Sequence, residues 1–258
     1  MTRSGRSSLH STPPSLLSAV LALLVNGLLL TLLLASVLRF SITTYLLPVG
    51  SMPVMGVCLL AGMGSTLVWS LPRYRWLAVL FLLAAGGALF FYYRSPLVYG
   101  GMANLEALTT LLTDNTDFPW HFVLSDPLPS PQHQEAARAF LWAVTALFAL
   151  PLGWAITRLR SFWLAFALTL PWLMPAFLAE VALDWPALML LCALWGALLL
   201  SSLSARTNPG GGARVALLAL PICLAVIWGV CTLFPREGYT QPAWAVDARD
   251  QLLALDWF

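Results

Sequence analysis

Apolar runs as long as a bilayer is thick alternate along this chain with short connections that carry nearly all of its charge. A hydrocarbon core roughly 30 Å thick takes about 20 apolar residues in a helix. Seven stretches fit that requirement, over 15–38, 49–71, 76–93, 137–157, 162–179, 186–204 and 215–234. The fifth is short and carries Pro171 and Pro175. It is predicted to be kinked, with its freed carbonyls met by neighbouring helices, or partly re-entrant. The pattern therefore predicts an all-α polytopic membrane protein of about seven transmembrane helices. A tail over 1–14 precedes the membrane domain over 15–234, and residues 235–258 follow it.

Composition agrees with the pattern. A chain of 258 residues that is 60% hydrophobic and 9% charged lacks the polar surface that a soluble domain needs. Its net charge of +2 supplies no general attraction to nucleic acid, and the partner it implies is the lipid bilayer.

The placement of the charges orients the stack, because arginine and lysine accumulate in short cytoplasmic connections. With the N-terminus inside, Arg3, Arg6, Arg73, Arg75, Arg158, Arg160, Arg206 and Arg214 all fall on the cytoplasmic side. All eleven carboxylates fall outside: Glu106, Asp114, Asp117, Asp126, Glu135, Glu180, Asp184, Glu237, Asp247, Asp250 and Asp256. So complete a segregation argues for the span count, and it puts the C-terminus outside the cell. The first span is read as a signal anchor. Its apolar run exceeds the roughly 7–15 residues of a signal peptide, and "LLASVLRF" is a poor cleavage site.

One connection is long, over 94–136 on the outer side, and long loops are functional or disordered. Its first part, "MANLEALTTLLTDN", sets Met102, Leu105, Leu108, Leu111 and Leu112 at helical spacing, with Asn104 available as a cap. This predicts a short amphipathic helix near 103–113, lying in the interface. The second part, "FPWHFVLSDPLPSPQHQE", predicts an extended strap pinned at headgroup depth by Trp120 and Phe122. After the last span, Pro235 and Gly238 form a turn, and Pro242 opens an amphipathic helix over 243–255.

Candidate chemistry is sparse. Cys58, Cys192, Cys223 and Cys231 all lie within predicted spans, without Cys-x-x-Cys spacing, and are expected to pack as small apolar groups. His121 and His133 share the outer loop with Asp114, Asp117, Asp126 and Glu135, but the spacing matches no metal-ligand pattern. "NPGGGAR" (208–214) lacks the Gly-Lys-Ser/Thr ending of a phosphate loop. Transport of ions leaves ionisable residues at mid-membrane, and none is found there. Asn26 is read as helix–helix glue, and Gly56, Gly62, Gly64, Gly86 and Gly87 predict close contacts between the second and third spans. No catalytic, cofactor-binding or metal site is assigned, and no cofactor is implied.

The stretch "FPREGYTQPAWAVDARDQLLAL" (234–255) resembles the segment by which the N-terminal membrane domain of bacterial transglutaminase-like membrane proteins leaves its last helix. In that family a soluble domain with a Cys-His-Asp arrangement follows the helices. This sequence stops before such a domain, so no catalytic residue carries over. The resemblance implies a non-catalytic anchor and scaffold in the bacterial plasma membrane, partnered by a separate extracytoplasmic domain or a neighbouring membrane protein. An independent membrane protein, such as a transporter subunit or polymer-export accessory, is the alternative.

Overall fold

A computed structural model describes residues 16–50, 53–71, 73–116, 121–125, 128–179, 181–207 and 212–233, and every regular element among them is helical. In chain order these are α1 (Leu16–Thr44), α2 (Val54–Ser70), α3 (Arg75–Tyr92), α4 (Arg94–Asn115), α5 (Ser130–Gly153), α6 (Phe162–Thr169), α7 (Met174–Leu178), α8 (Trp185–Thr207) and α9 (Gly212–Leu233). A π-helical turn, Trp154–Leu159, continues α5, and a 3-10 turn, Leu170–Trp172, joins α6 to α7. The tail over 1–14, Trp120 and the junction over 235–258 with its expected amphipathic helix lie outside the described residues.

Five helical stretches are long and apolar enough to cross a bilayer: Ala19–Thr44, Arg75–Tyr92, Ser130–Leu159, Trp185–Ala205 and Gly212–Leu233. The second and fifth predicted spans correspond to shorter apolar helices, Val54–Ser70 and Phe162–Trp172. Proline and backbone chirality account for both. Ahead of α2, Leu46 and Gly50 take positive φ (52° and 56°) and Pro53 sits at the N-cap, so helix begins only at Val54. In the fifth stretch Pro171 has no N–H to continue the ladder, and the chain tightens into the 3-10 turn. Neighbours meet the polar groups at this break. The Tyr45 hydroxyl donates to the Trp172 carbonyl, and Trp195 Nε1 donates to Thr169 Oγ1 at 3.0 Å.

The central column is α1, which is apolar on every face and packs against α2, α5, α8 and α9. Over half of its most apolar window is buried (56%), whereas no residue of α3 is buried. Leu30, Leu33 and Phe40 of α1 are fully enclosed. Ser and Thr hydroxyls inside these helices donate to carbonyls one turn back, as Ser41 does to Val37 at 2.9 Å and Thr145 to Leu141 at 2.7 Å. That is the local solution for a hydroxyl with no water to bond.

The glycine prediction needs correction. Gly62 does mediate a close helix contact, but with α1, since a Cβ there would lie 2.9 Å from the Thr31 backbone nitrogen. Gly56, Gly64, Gly86 and Gly87 have nothing within 4 Å of that position. Small residues permit close approach without enforcing it, and α2 spends its contact surface on α1 and α5 rather than on α3. Asn26 is half-buried on α1.

Candidate functional site

At the expected outer end, α1 and α8 are joined by a polar cluster built from residues far apart in sequence. Arg39 and Thr43 stand one helical turn apart, so both side chains reach the same point. There Asp184 Oδ2 accepts from Thr43 Oγ1 at 2.8 Å and from Arg39 Nε at 3.2 Å. Its Oδ1 accepts the Ala187 N–H at 3.3 Å, the bond of an N-cap for α8, and its own N–H donates to Thr44 Oγ1 at 3.4 Å. Burial pushes the carboxyl pKa up, but the bonds from Thr43, Ala187 and Arg39, with the arginine's charge, outweigh it and hold Asp184 below its ordinary value. Arg39 is 60% exposed, so its ion pair contributes little beyond orientation, roughly 0–1 kcal/mol. The cap contributes about 1 kcal/mol.

The long outer connection is more structured than its sequence predicts. Helix begins at Arg94, with Pro96 accommodated in the first turn where no N–H is required. Consequently α4 follows α3 after a break at Tyr93 alone, and it packs on α5, which buries part of its leucine stripe. Asn104 is correspondingly no cap. It sits in the helix interior, its amide donating to the Gly100 carbonyl at 2.7 Å and across the interface to the Ala137 carbonyl at 3.2 Å. Of the leucine stripe, Leu111 is buried, Leu108 and Leu112 pack against the core, and Met102 and Leu105 are exposed.

The strap runs back along α4, held by side chains at regular steps. His121 Nε2 pairs with Thr110 Oγ1 at 3.2 Å, the Phe122 N–H donates to Thr109 Oγ1 at 3.3 Å, and the Leu124 N–H donates to Glu106 Oε1 at 3.2 Å. The Leu128 N–H then donates to the Tyr99 hydroxyl at 2.6 Å, and that hydroxyl also meets His133 Nδ1 at 3.0 Å. A ladder of α4 side chains thus holds the described residues of the strap. Next to it, Arg138 donates to the Val49 carbonyl through Nε and Nη2, at 3.3 and 3.2 Å.

Both loop histidines therefore serve as partners of hydroxyl groups. Glu135 and Asp114 are exposed, Asp117 and Asp126 lie outside the described residues, and no group of three metal-ligating side chains forms among those described. Cys58 is buried on α2, while Cys192 on α8 and Cys223 and Cys231 on α9 are half-buried free thiols. Gly196 of α8 faces Cys223, where a Cβ would come within 2.9 Å of its sulfur, so this thiol packs at a tight helix crossing.

The opposite end of the bundle holds a feature that the sequence did not announce. Downstream of Pro151, α5 widens into the π turn Trp154–Leu159, which closes with the Ser161 N–H on the Ala155 carbonyl at 3.0 Å. Two donors from α2 support the approach to this turn, Ser65 Oγ to the Ala149 carbonyl at 2.7 Å and Trp69 Nε1 to the Leu150 carbonyl at 2.9 Å. Arg160 then adopts a left-handed conformation (φ 47°, ψ 41°), which turns the chain into α6, capped by Ser161. Between this corner and the end of α8 lies a groove of 540 Å³. The proline inside α5 was the one available signal of such a distortion. Comparison with protein-family models, with curated proteins and with solved structures finds no match to this chain.

Proposed function

We propose that this chain is a membrane anchor and scaffold, of the kind found in the membrane part of bacterial transglutaminase-like proteins. It would cross the plasma membrane seven times, with the N-terminus in the cytoplasm and the C-terminus outside. The observation that carries this reading is where the polar side chains are used. Among the described residues no Asp, Glu, Arg or His sits at the middle of an apolar helix, where a transport path would need one. The charged and hydroxyl groups instead fasten helix ends and the strap to one another, as Asp184 does for α1 and α8 and Glu106 for the strap. Such fastenings favour a rigid outer platform for a separate extracytoplasmic domain or a neighbouring membrane protein. The resemblance over 234–255 supports the same reading.

Reporter fusions made after Arg160 and after Phe258 test the topology, and they are expected to report opposite sides of the membrane. Cytoplasmic signals from both would show that a span has been misassigned, the broken stretch over 162–179 first. The purified chain is expected neither to crosslink amines to glutamine substrates nor to cleave peptides. Turnover abolished by replacing one of the four cysteines would defeat the scaffold reading.

A further inference from the structure

The groove at the arginine-rich end has the lining of a binding site for an amphiphile. The corner at the start of α6 contributes Arg160, Ser161 and Trp163 to its lining, and α8 contributes Leu199, Ser202 and Leu203. Its volume of 540 Å³ falls within the range of small-ligand sites, about 300–1,000 Å³. Among the described residues no carboxylate lines it, so a negative ligand meets no repulsion from them. Guanidinium is suited to phosphate because it offers paired N–H donors in one plane. Ser161 accepts the Leu164 N–H at 3.4 Å in capping α6, which leaves its O–H to donate. Arg158, also exposed, stands two residues before Arg160 and adds positive charge to the same corner.

A free anion would need only the polar groups. Trp163 is 69% exposed and belongs to the residue type that settles at headgroup depth. Leu203 is 48% exposed at the same groove, on a helix long enough to cross the bilayer. The lining thus brings a guanidinium and a hydroxyl together with exposed apolar side chains, the two kinds of group that a lipid's phosphate and acyl chains need. We propose that this groove binds an anionic phospholipid, with its phosphate on Arg160 and Ser161 and its chains over Trp163, Leu199 and Leu203, while the Ser202 hydroxyl donates to the Leu199 carbonyl at 2.8 Å. The proposal rests on the chain being embedded in a membrane, and it is independent of the anchor's orientation and of any partner.

The test uses the full chain purified in detergent and titrated with dioctanoyl phosphatidylglycerol, dioctanoyl phosphatidylcholine or glycerol phosphate, with adducts counted by native mass spectrometry. Phosphatidylglycerol is expected to bind at least about tenfold more tightly than the other two. Arg160→Gln should weaken it about tenfold, Ser202→Phe should block it by filling the groove, and Arg94→Gln, at the start of α4, should leave it unchanged. Melting curves confirm folding, and Ser202→Phe serves as the charge-neutral variant if Arg160→Gln does not fold. Equal binding of the two lipids, or wild-type binding by either groove variant, overturns the proposal. Glycerol phosphate binding as tightly as phosphatidylglycerol overturns the lipid assignment in favour of a free phosphate. None of these outcomes reads topology or turnover, so they separate the groove's role from that of the scaffold.

Discussion

Replacing Gly100 with alanine puts a methyl group into the backbone of the helix that α4 packs against. The added Cβ would stand 2.0 Å from the Ala136 carbonyl oxygen, 2.4 Å from its carbon and 3.0 Å from the Ala137 nitrogen, against the 3.4 Å at which ordinary contact begins. All three are main-chain atoms of α5, so no side-chain rotation relieves the clash, and the two helices must separate. Overpacking of this kind costs roughly 1–3 kcal/mol. Separation also stretches the Asn104 bond to the Ala137 carbonyl, now 3.2 Å, in a place already holding an unpartnered Asn104 Oδ1, and its loss adds about 1 kcal/mol. Against this, alanine gains at most about 1 kcal/mol in helix propensity. At about 2–4 °C per kcal/mol for a chain of this size, the net loss of about 1–3 kcal/mol should lower the melting temperature in detergent by roughly 2–12 °C. Gly86→Ala is the matched control, because nothing lies within 4 Å of its Cβ position, and it should melt at or slightly above the wild-type temperature. An unchanged melting temperature for Gly100→Ala, or an equal fall for both variants, would refute the claim that backbone contact fixes α4 on α5.

Three further expectations follow from the same geometry. Asp184 has a folded pKa below its ordinary value of 3.8, so its stabilisation is complete above that value and is lost as pH falls through the lowered one. Wild-type protein should therefore lose stability on acidification below about pH 4 more steeply than Asp184→Asn, and parallel acid melting curves would dismiss the carboxylate's role. Tyr45→Phe removes the donor to the Trp172 carbonyl at the proline break and should destabilise by about 1–3 kcal/mol, measured by thermal unfolding. A neutral result would mean that the 3-10 turn needs no outside partner. Cysteine substitutions read α4 directly: labelling should be fast at Leu105→Cys and slow at Leu111→Cys, and uniformly fast labelling would show that α4 does not dock.

The helical class, the approximate places of the apolar helices and the disruption at Pro171 were all legible in the order of residues. Each depends on local causes: about 20 apolar residues are needed to span hydrocarbon, and proline lacks an N–H wherever it occurs. The third predicted stretch differs from α3 by a single residue at each end for that reason. Local causes also explain part of what was missed. The helix of the outer connection begins at Arg94 because Pro96 is harmless in a first turn, whereas the sequence reading started it at the leucine stripe.

Tertiary structure decided which polar residues meet. Arg39 follows the first predicted span and Asp184 precedes the sixth, but their pairing depends on α1 and α8 lying side by side, and no periodicity encodes which helices become neighbours. Asn104 shows the same dependence. Its short amide suits a cap by type, yet the close approach of α5 at Gly100 gives it a carbonyl from another helix and makes it an interior crosslink. The glycines divide likewise, because a missing Cβ allows contact on any helix and only packing selects Gly62 and Gly100 over Gly86 and Gly87. The groove at Arg160 arises from a π turn, a left-handed residue and the end of α8 meeting in space. Sequence thus determined what each segment is, through solvation and backbone chemistry acting within a few residues. The fold alone determined what each segment touches, because those contacts join residues that the chain keeps far apart.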